Sequence, residues 1–197
     1  MAKSKKYYAR RRYRNRFYKI AHDYAYAKMT VPVRIKLSNG GAIMFWGNQS
    51  GSSHTVSTLL TSSADWPHYR SLFTNFKIKA CKIDCVPIPS RQFVGGTNLV
   101  AYNIFDSAIH IGFMSQGDGD SVQDIAESEK TAIINWETKT TIFWRFTESL
   151  TDWMFTSATA SMGAKISINA TTFPADSAFE KWWECNVTFY VLFKNCT

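Results

Sequence analysis

The 197-residue chain carries 23 Lys plus Arg against 15 Asp plus Glu, a formal net charge of +8, but the charge is unevenly placed. Nine cations, Lys3, Lys5, Lys6, Arg10, Arg11, Arg12, Arg14, Arg16 and Lys19, fall in residues 1–19 with no acid among them; the remaining 178 residues carry 14 basic and 15 acidic side chains, a net of −1. With 45% hydrophobic and 15% aromatic residues the chain is not disordered throughout, and 19% charged is low for a helical bundle. No run of about 18 apolar residues is present to cross a membrane as a helix, so no membrane partner is expected.

The first region in chain order is a basic, aromatic and disordered arm over residues 1–27. No hydrophobic segment follows its cations, so a secretory signal is not supported; a mitochondrial presequence would need an apolar face of Leu and Ala rather than Tyr and Phe. Its composition matches a mechanism. Lys and Arg neutralise phosphates and release counterions, which needs charge density more than fixed geometry. Tyr7, Tyr8, Tyr13, Phe17 and Tyr18 interleave flat faces on which unpaired bases stack. Arg outnumbers Lys from residue 10 on, favouring bidentate phosphate contact. Tyr13, Phe17, Ile20 and Tyr24 also recur at helical spacing, which suits either a helix formed on docking or a stripe laid on the body's own surface. Read more plainly, the same cluster is a nuclear localisation signal or a solubilising tail.

The body, residues 28–197, has a period of two, as half-buried strands require. Val31, Val33, Ile35 and Leu37 oppose Pro32, Arg34 and Lys36, with the proline indicating an edge or a strand beginning. In 76–86 the alternation changes phase, and a bulge near Ala80–Lys82 would restore one apolar face. Residues 139–146, 165–171 and 183–194 alternate too, the last with Trp183, Cys185, Val187, Phe189, Val191 and Phe193 on one side. Further strands are expected at 41–46, 55–60, 98–105, 131–136 and 153–158. Connections are expected at Asn39-Gly40-Gly41, 47–54, 91–97 and 117–120. Asp65 with Pro67 should open one short helix burying Trp66, Tyr69 and Leu72 or Phe73; Ser121 with Asp124 should open another, running to about Glu129. Strands of this number and length predict an all-β fold, a single jelly-roll antiparallel β-sandwich of about eight core strands plus extras.

Candidate chemistry is sparse. Cys81, Cys85, Cys185 and Cys196 contain no C-x-x-C pair, and Cys81 and Cys85 on one extended strand would stand about 13 Å apart, too far for a disulfide. Four reduced, buried thiols are expected. His22, His54, His68 and His110 are scattered and read as surface or loop residues rather than metal ligands. Asp118, Asp120, Asp124 and Glu129 match some positions of a calcium loop. Val122 and Gln123 stand where an oxygen ligand and a glycine are required, so a solvated acidic loop opening a helix is the better reading. Asn48, Asn169, Asn186 and Asn195 begin sequons that chance explains. Nothing singles out a catalytic pair, so no enzyme, cofactor or metal is expected.

Three stretches then resemble one family, the capsid proteins of circoviruses and related viruses with small circular single-stranded DNA genomes. Tyr69-Arg70 through Phe76-Lys77-Ile78-Lys79-Ala80-Cys81-Lys82-Ile83-Asp84-Cys85-Val86-Pro87 resembles that family's aromatic and basic strand ending at a proline. Glu184 through Lys194 is similar to its final strand, with the V-T-x-Y-V-x-F core intact, and Lys5 through Arg14 matches its Arg- and Tyr-rich N-terminus in character. The resemblance implies a major capsid protein that assembles with identical subunits, sixty in the simplest (T=1) icosahedral shell, around single-stranded nucleic acid, with DNA favoured. It assigns Lys3, Lys5, Lys6, Arg10, Arg11, Arg12, Arg14, Arg16 and Lys19, with the five arm aromatics, to genome binding. Lys5, Lys6, Arg10, Arg11, Arg12, Arg14 and Arg16 are assigned to nuclear targeting through a host import receptor. It also implies location in the virion and, during assembly, the host nucleus; any host attachment factor is unspecified. Nine cations on each of sixty arms would neutralise on the order of 500 phosphates. Three alternatives remain: a coat protein of a small satellite or RNA virus, a cellular RNA-binding protein with a basic extension, and a lectin- or cytokine-like sandwich. The net −1 of residues 20–197 disfavours the second and the missing signal peptide the third.

Overall fold

The computed structural model describes residues 24–88, 108–114, 121–128, 130–146, 153–157, 164–171 and 180–196. In chain order the elements are β1 (Tyr24–Ser38), β2 (Gly41–Trp46), β3 (Gln49–Gly51), β4 (Ser53–Thr55), α1 (Val56–Thr61), α2 (Trp66–Leu72), β5 (Phe73–Pro87), β6 (Ile109–Met114), α3 (Val122–Ala126), β7 (Lys130–Ile134), β8 (Thr140–Arg145), β9 (Met154–Phe155), β10 (Lys165–Ala170) and β11 (Glu180–Cys196).

The alternation read from the sequence decides where the core lies. Along β1, Ala27, Met29, Val31, Val33, Ile35 and Leu37 are at most 7% exposed, while Tyr26, Lys28, Thr30, Pro32 and Arg34 between them face outward. β11 does the same with Trp183, Cys185, Val187, Phe189, Val191 and Phe193. The two strands pair antiparallel from Tyr24 opposite Lys194 to Ser38 opposite Glu180, so both apolar stripes meet the same core. A slip of one residue would turn every one of those side chains to water, at about 1.5–3 kcal/mol for each large apolar group.

Among the described residues, seven strands form the larger sheet, in order β3-β2-β1-β11-β5-β8 with β9 on β5, and four form the smaller, β4-β10-β6-β7. Setting aside β2, β3 and β9, the chain passes from one sheet to the other at β1–β4, β4–β5, β5–β6, β7–β8, β8–β10 and β10–β11, which is the jelly roll expected from the sequence. One continuous core joins the sheets, with Met29, Ile35, Ile83, Phe189 and Phe193 from the larger and Ile111, Phe113, Ile134, Ile166 and Ile168 from the smaller. β2 meets β1 only from Arg34 onward, so Pro32 lies where β1 has a neighbour, β11, on one side alone, the edge-like position that suits a strand proline.

Several expectations are corrected. β1 begins at Tyr24, so Tyr24 through Ala27 are strand residues, and Tyr24 does not continue a helical stripe. The expected connection at 47–54 contains β3 and most of β4. Residues 56–61 are helical rather than extended. Thr55 Oγ1 accepts from the Thr58 N–H at 3.3 Å, and Val56, Leu59 and Leu60, at helical spacing, are fully buried. The bulge in β5 sits slightly earlier than expected: Tyr190 pairs with Ala80 and Val191 with Ile78, leaving Lys79 as the extra residue. β7 ends at Ile134, two residues short of expectation, and β9 is only Met154–Phe155. The strand expected at 98–105 and the loops at 91–97 and 117–120 lie outside the described residues.

The two expected helices are present. Asp65 occupies the N-cap of α2 without a side-chain cap hydrogen bond, and Leu72 is 39% exposed while Phe73 opens β5. Ser121 and Asp124 form the reciprocal capping box of α3, which ends at Ala126. Cys81, Cys85 and Cys185 are free and buried, and Cys85 lies opposite Cys185 in the β5–β11 ladder. Burial pushes the Cys81 thiol well up; at Cys185 a hydrogen bond with Cys85, then burial, does the same. His54 is not a surface histidine. It is 6% exposed in β4, its Nε2 stands 3.2 Å from the Met44 carbonyl oxygen, and its ring meets Trp46 edge-on.

Two tests follow from this packing. A Cβ added at Gly112 in β6 would lie 2.7 Å from Ser128 Oγ and 2.8 Å from Ile125 Cγ2, because α3 rests directly on that strand. Gly112→Ala should therefore destabilise the unassembled protein by ~1–3 kcal/mol, read as a drop of roughly 2–4 °C in Tm per kcal/mol; an unchanged Tm would mean that α3 is not seated there. Burial lowers the His54 pKa from 6.5, against hydrogen bonds to Met44 and Gly51. The unfolded chain therefore takes up the proton first, and stability present at neutral pH is lost as the pH falls below that value. Thermal melts between pH 7.5 and 5.5 should show a decline that His54→Gln, although less stable at neutral pH, flattens.

Candidate functional site

All fourteen sequence-predicted binding residues of the arm, Lys3 through Lys19 with Tyr7, Tyr8, Tyr13, Phe17 and Tyr18, lie outside the described residues. What the structure places is the point at which the chain emerges. Tyr24 is five residues beyond Lys19, at most about 18 Å of extended chain. Tyr24 pairs with Lys194, Lys194 with Asn75, and Asn75 with Phe155, so the arm joins the body at one defined end of the larger sheet.

The outer face of that sheet, away from the core, collects the polar halves of four alternating strands. Lys28, Arg34 and Lys36 come from β1, Lys77 and Lys82 from β5, Arg145 from β8 and Lys194 from β11. Asp84, Glu180 and Glu184 are the acids of these strands. They sit in the half of the ladder away from Tyr24, Asp84 near its middle on the row of Asn186 and Pro32, and each has a cation. Arg34 reaches Glu184 at 3.5 Å, Lys36 reaches Glu180 at 2.7 Å, and Lys82 and Lys139 reach Asp84 at 2.6 and 2.9 Å. Partial burial would raise the Asp84 carboxyl, but hydrogen bonds from Lys82, Thr141 and Lys139 outweigh it and hold the group well below the ordinary carboxylate range. Hydrogen bonds from Lys36 and Trp182 lower Glu180 in the same way.

The arm-proximal end differs. Lys28, Lys77 and Arg145 have no ion-pair partner among the described residues, and the Lys194 ammonium lies 4.2 Å from the centre of the Trp153 ring. Tyr24, Tyr26, Phe143 and Phe155 stand around them at 45%, 76%, 53% and 62% exposure. Phe143 meets Tyr190 edge-on and Tyr24 leans on Trp153, so part of this aromatic surface is braced. The arrangement offers positive charge and flat apolar rings together, chemistry that suits a polyanion with exposed bases.

Sequence reasoning missed this cluster. Its members were visible one strand at a time as the polar positions of alternating segments. Their convergence depends on strand order, which brings β1, β11, β5 and β8 side by side although they are remote in sequence. Among the described residues no three of His, Cys, Asp and Glu come together as a metal site, and no helix is long and apolar enough to cross a membrane.

No protein-family model matches the chain, and no curated protein sequence does. Solved structures do match in shape. Cocksfoot mottle virus aligns with a TM-score of 0.58 at 11% identity, covering 89% of this chain and 97% of that one. The semi-empty virus-like particle of giant freshwater prawn Macrobrachium rosenbergii nodavirus gives 0.56 at 9% identity, covering 90% and 97%. The T=1 subviral particle of a Penaeus vannamei nodavirus capsid protein deletion mutant gives 0.55 at 10% identity, covering 88% and 98%. At these identities the likeness is one of fold, and the fold is the jelly roll of viral capsid proteins.

Proposed function

We propose that the chain is the shell-forming subunit of a small icosahedral virus, sixty copies enclosing a single-stranded genome gathered by the basic arm. One observation carries the reading: the jelly roll matches virus-particle subunits over 97–98% of their own length, and here it is joined to a segment with nine cations and no acid. Wall and genome contact are thereby divided between two parts of one chain. A neutral body lets identical copies approach without strong mutual repulsion, while the arm carries the charge that compacts phosphate. The choice of DNA rests on the sequence resemblance to circovirus capsid proteins, because phosphate neutralisation and stacking serve either nucleic acid. Lys5, Lys6 and Arg10 through Arg16 serve in nuclear import before they meet the genome. The product is a virion assembled in the host nucleus.

The test uses the full chain and a variant with Arg10, Arg11, Arg12, Arg14 and Arg16 changed to Gln. Electron microscopy of the full chain should show monodisperse shells; monomers at every protein concentration would overturn the assignment. The unmodified shells should hold nucleic acid sensitive to DNase after disruption, and RNase sensitivity alone would reassign the genome. The variant should lose most of that cargo, and its affinity for a single strand should depend less steeply on salt, the log–log slope shrinking by about 3.5.

A further inference from the structure

The geometry points to a second phosphate-binding surface, on the body itself: Lys28, Lys77, Arg145 and Lys194, at the arm-proximal end of the larger sheet's outer face, engage the backbone of single-stranded nucleic acid. This rests on the packaging reading above and extends it from the arm to the folded domain.

Three observations converge on it. First, charge is sorted along the face. Every described acid of these strands lies in the half of the ladder away from Tyr24 and within 3.5 Å of a cation, while Lys28, Lys77 and Arg145 have no ion-pair partner among the described residues and Lys194 rests on the Trp153 ring. Unpaired cations held side by side repel one another, and a polyanion relieves that repulsion while releasing its own counterions. Second, the cations share one surface. Lys28 and Arg145 lie on one cross-strand row through Tyr190 and Ala80, about 14 Å across three strand spacings, and Lys77 and Lys194 stand beside the same ladder nearer Tyr24. Exposed Tyr24, Tyr26, Phe143 and Phe155 add stacking faces, which favours unpaired bases over a duplex. Third, the arm delivers the ligand here. Its last cation, Lys19, is tethered within about 18 Å of Tyr24, so a strand gathered by the arm is already beside this surface.

Nothing in the cluster reads base edges, so binding is sequence-independent and salt-sensitive. The test is anisotropy of a labelled oligothymidine, at protein concentrations dilute enough to prevent assembly, over a range of salt. Four full-length proteins are compared: unmodified, the arm variant above, a face variant (K28Q, K77Q, R145Q, K194Q) and their combination. The face variant should shrink the slope of log affinity against log salt by about 3, and the combination by about 6. A charge-preserving set (K28R, K77R, R145K, K194R) should keep the unmodified slope, separating lost charge from lost structure. A face-variant slope equal to that of the unmodified protein, with the arm variant still reduced, overturns this inference and leaves the packaging role of the arm standing. Reduced slopes in the face variant but not the arm variant would support the surface and refute the arm assignment.

Discussion

The ladder in which β11 lies between β1 and β5 is the constraint on which the rest of the molecule depends. β11 pairs with β1 from Tyr24 to Ser38 and with β5 from Phe73 to Pro87, so three long strands share one register. That register sends Met29, Val31, Val33, Ile35, Ile83, Val187, Phe189 and Val191 to one side, where they meet the isoleucines of the smaller sheet. The bulge at Lys79 keeps the second half of β5 in phase with its partners, placing Cys81, Ile83 and Cys85 on the buried face after Phe76 and Ile78. Once the inner side is fixed by hydrophobic burial, the outer side is free to vary in charge at little cost to the fold.

That freedom is used unevenly. Exposed ion pairs such as Arg34–Glu184 contribute little stability, on the order of 0–1 kcal/mol, so their placement at one end is better understood as neutralising that end than as holding it together. At the other end, the nearest cations, such as Lys77 and Lys194 at diagonal positions on adjacent strands, stand close to a Debye length apart, about 8 Å in physiological salt, and add modest repulsion to the folded state. The body's near-zero net charge therefore conceals a polarity like that between arm and body, repeated on a smaller scale within a single sheet.

Legibility in the sequence followed physical simplicity. β11 was plain because its alternation runs unbroken from Trp183 to Phe193, and α3 because Ser121 and Asp124 form a local motif complete in four residues. α1 was misread because Val56, Leu59 and Leu60 make an apolar run too short for periodicity to separate helix from strand. His54 was taken for a surface residue because Ser53 and Thr55 flank it, although the core it enters is supplied by Met44 and Trp46 through tertiary contact. The cationic face was invisible for the same reason: Lys28 and Arg145 become neighbours only through two intervening strands. The arm's role is proposed from composition alone, since such chemistry needs charge density and rings but no particular fold.

The pairing of β1 with β11 joins the first described strand to the last, with Tyr24 opposite Lys194. Synthesis runs from β1 to β11, so the centre of the larger sheet is supplied after every other described strand. Until β11 is complete, β1 and β5 have no strand between them, and the stripe from Ala27 to Leu37 has no partner on its long side. Folding of the larger sheet therefore waits on β11, and its ladder is of the slow, non-local kind. Chains cut short before Glu180 lack the central strand and cannot complete the larger sheet, so the topology itself rejects truncated copies.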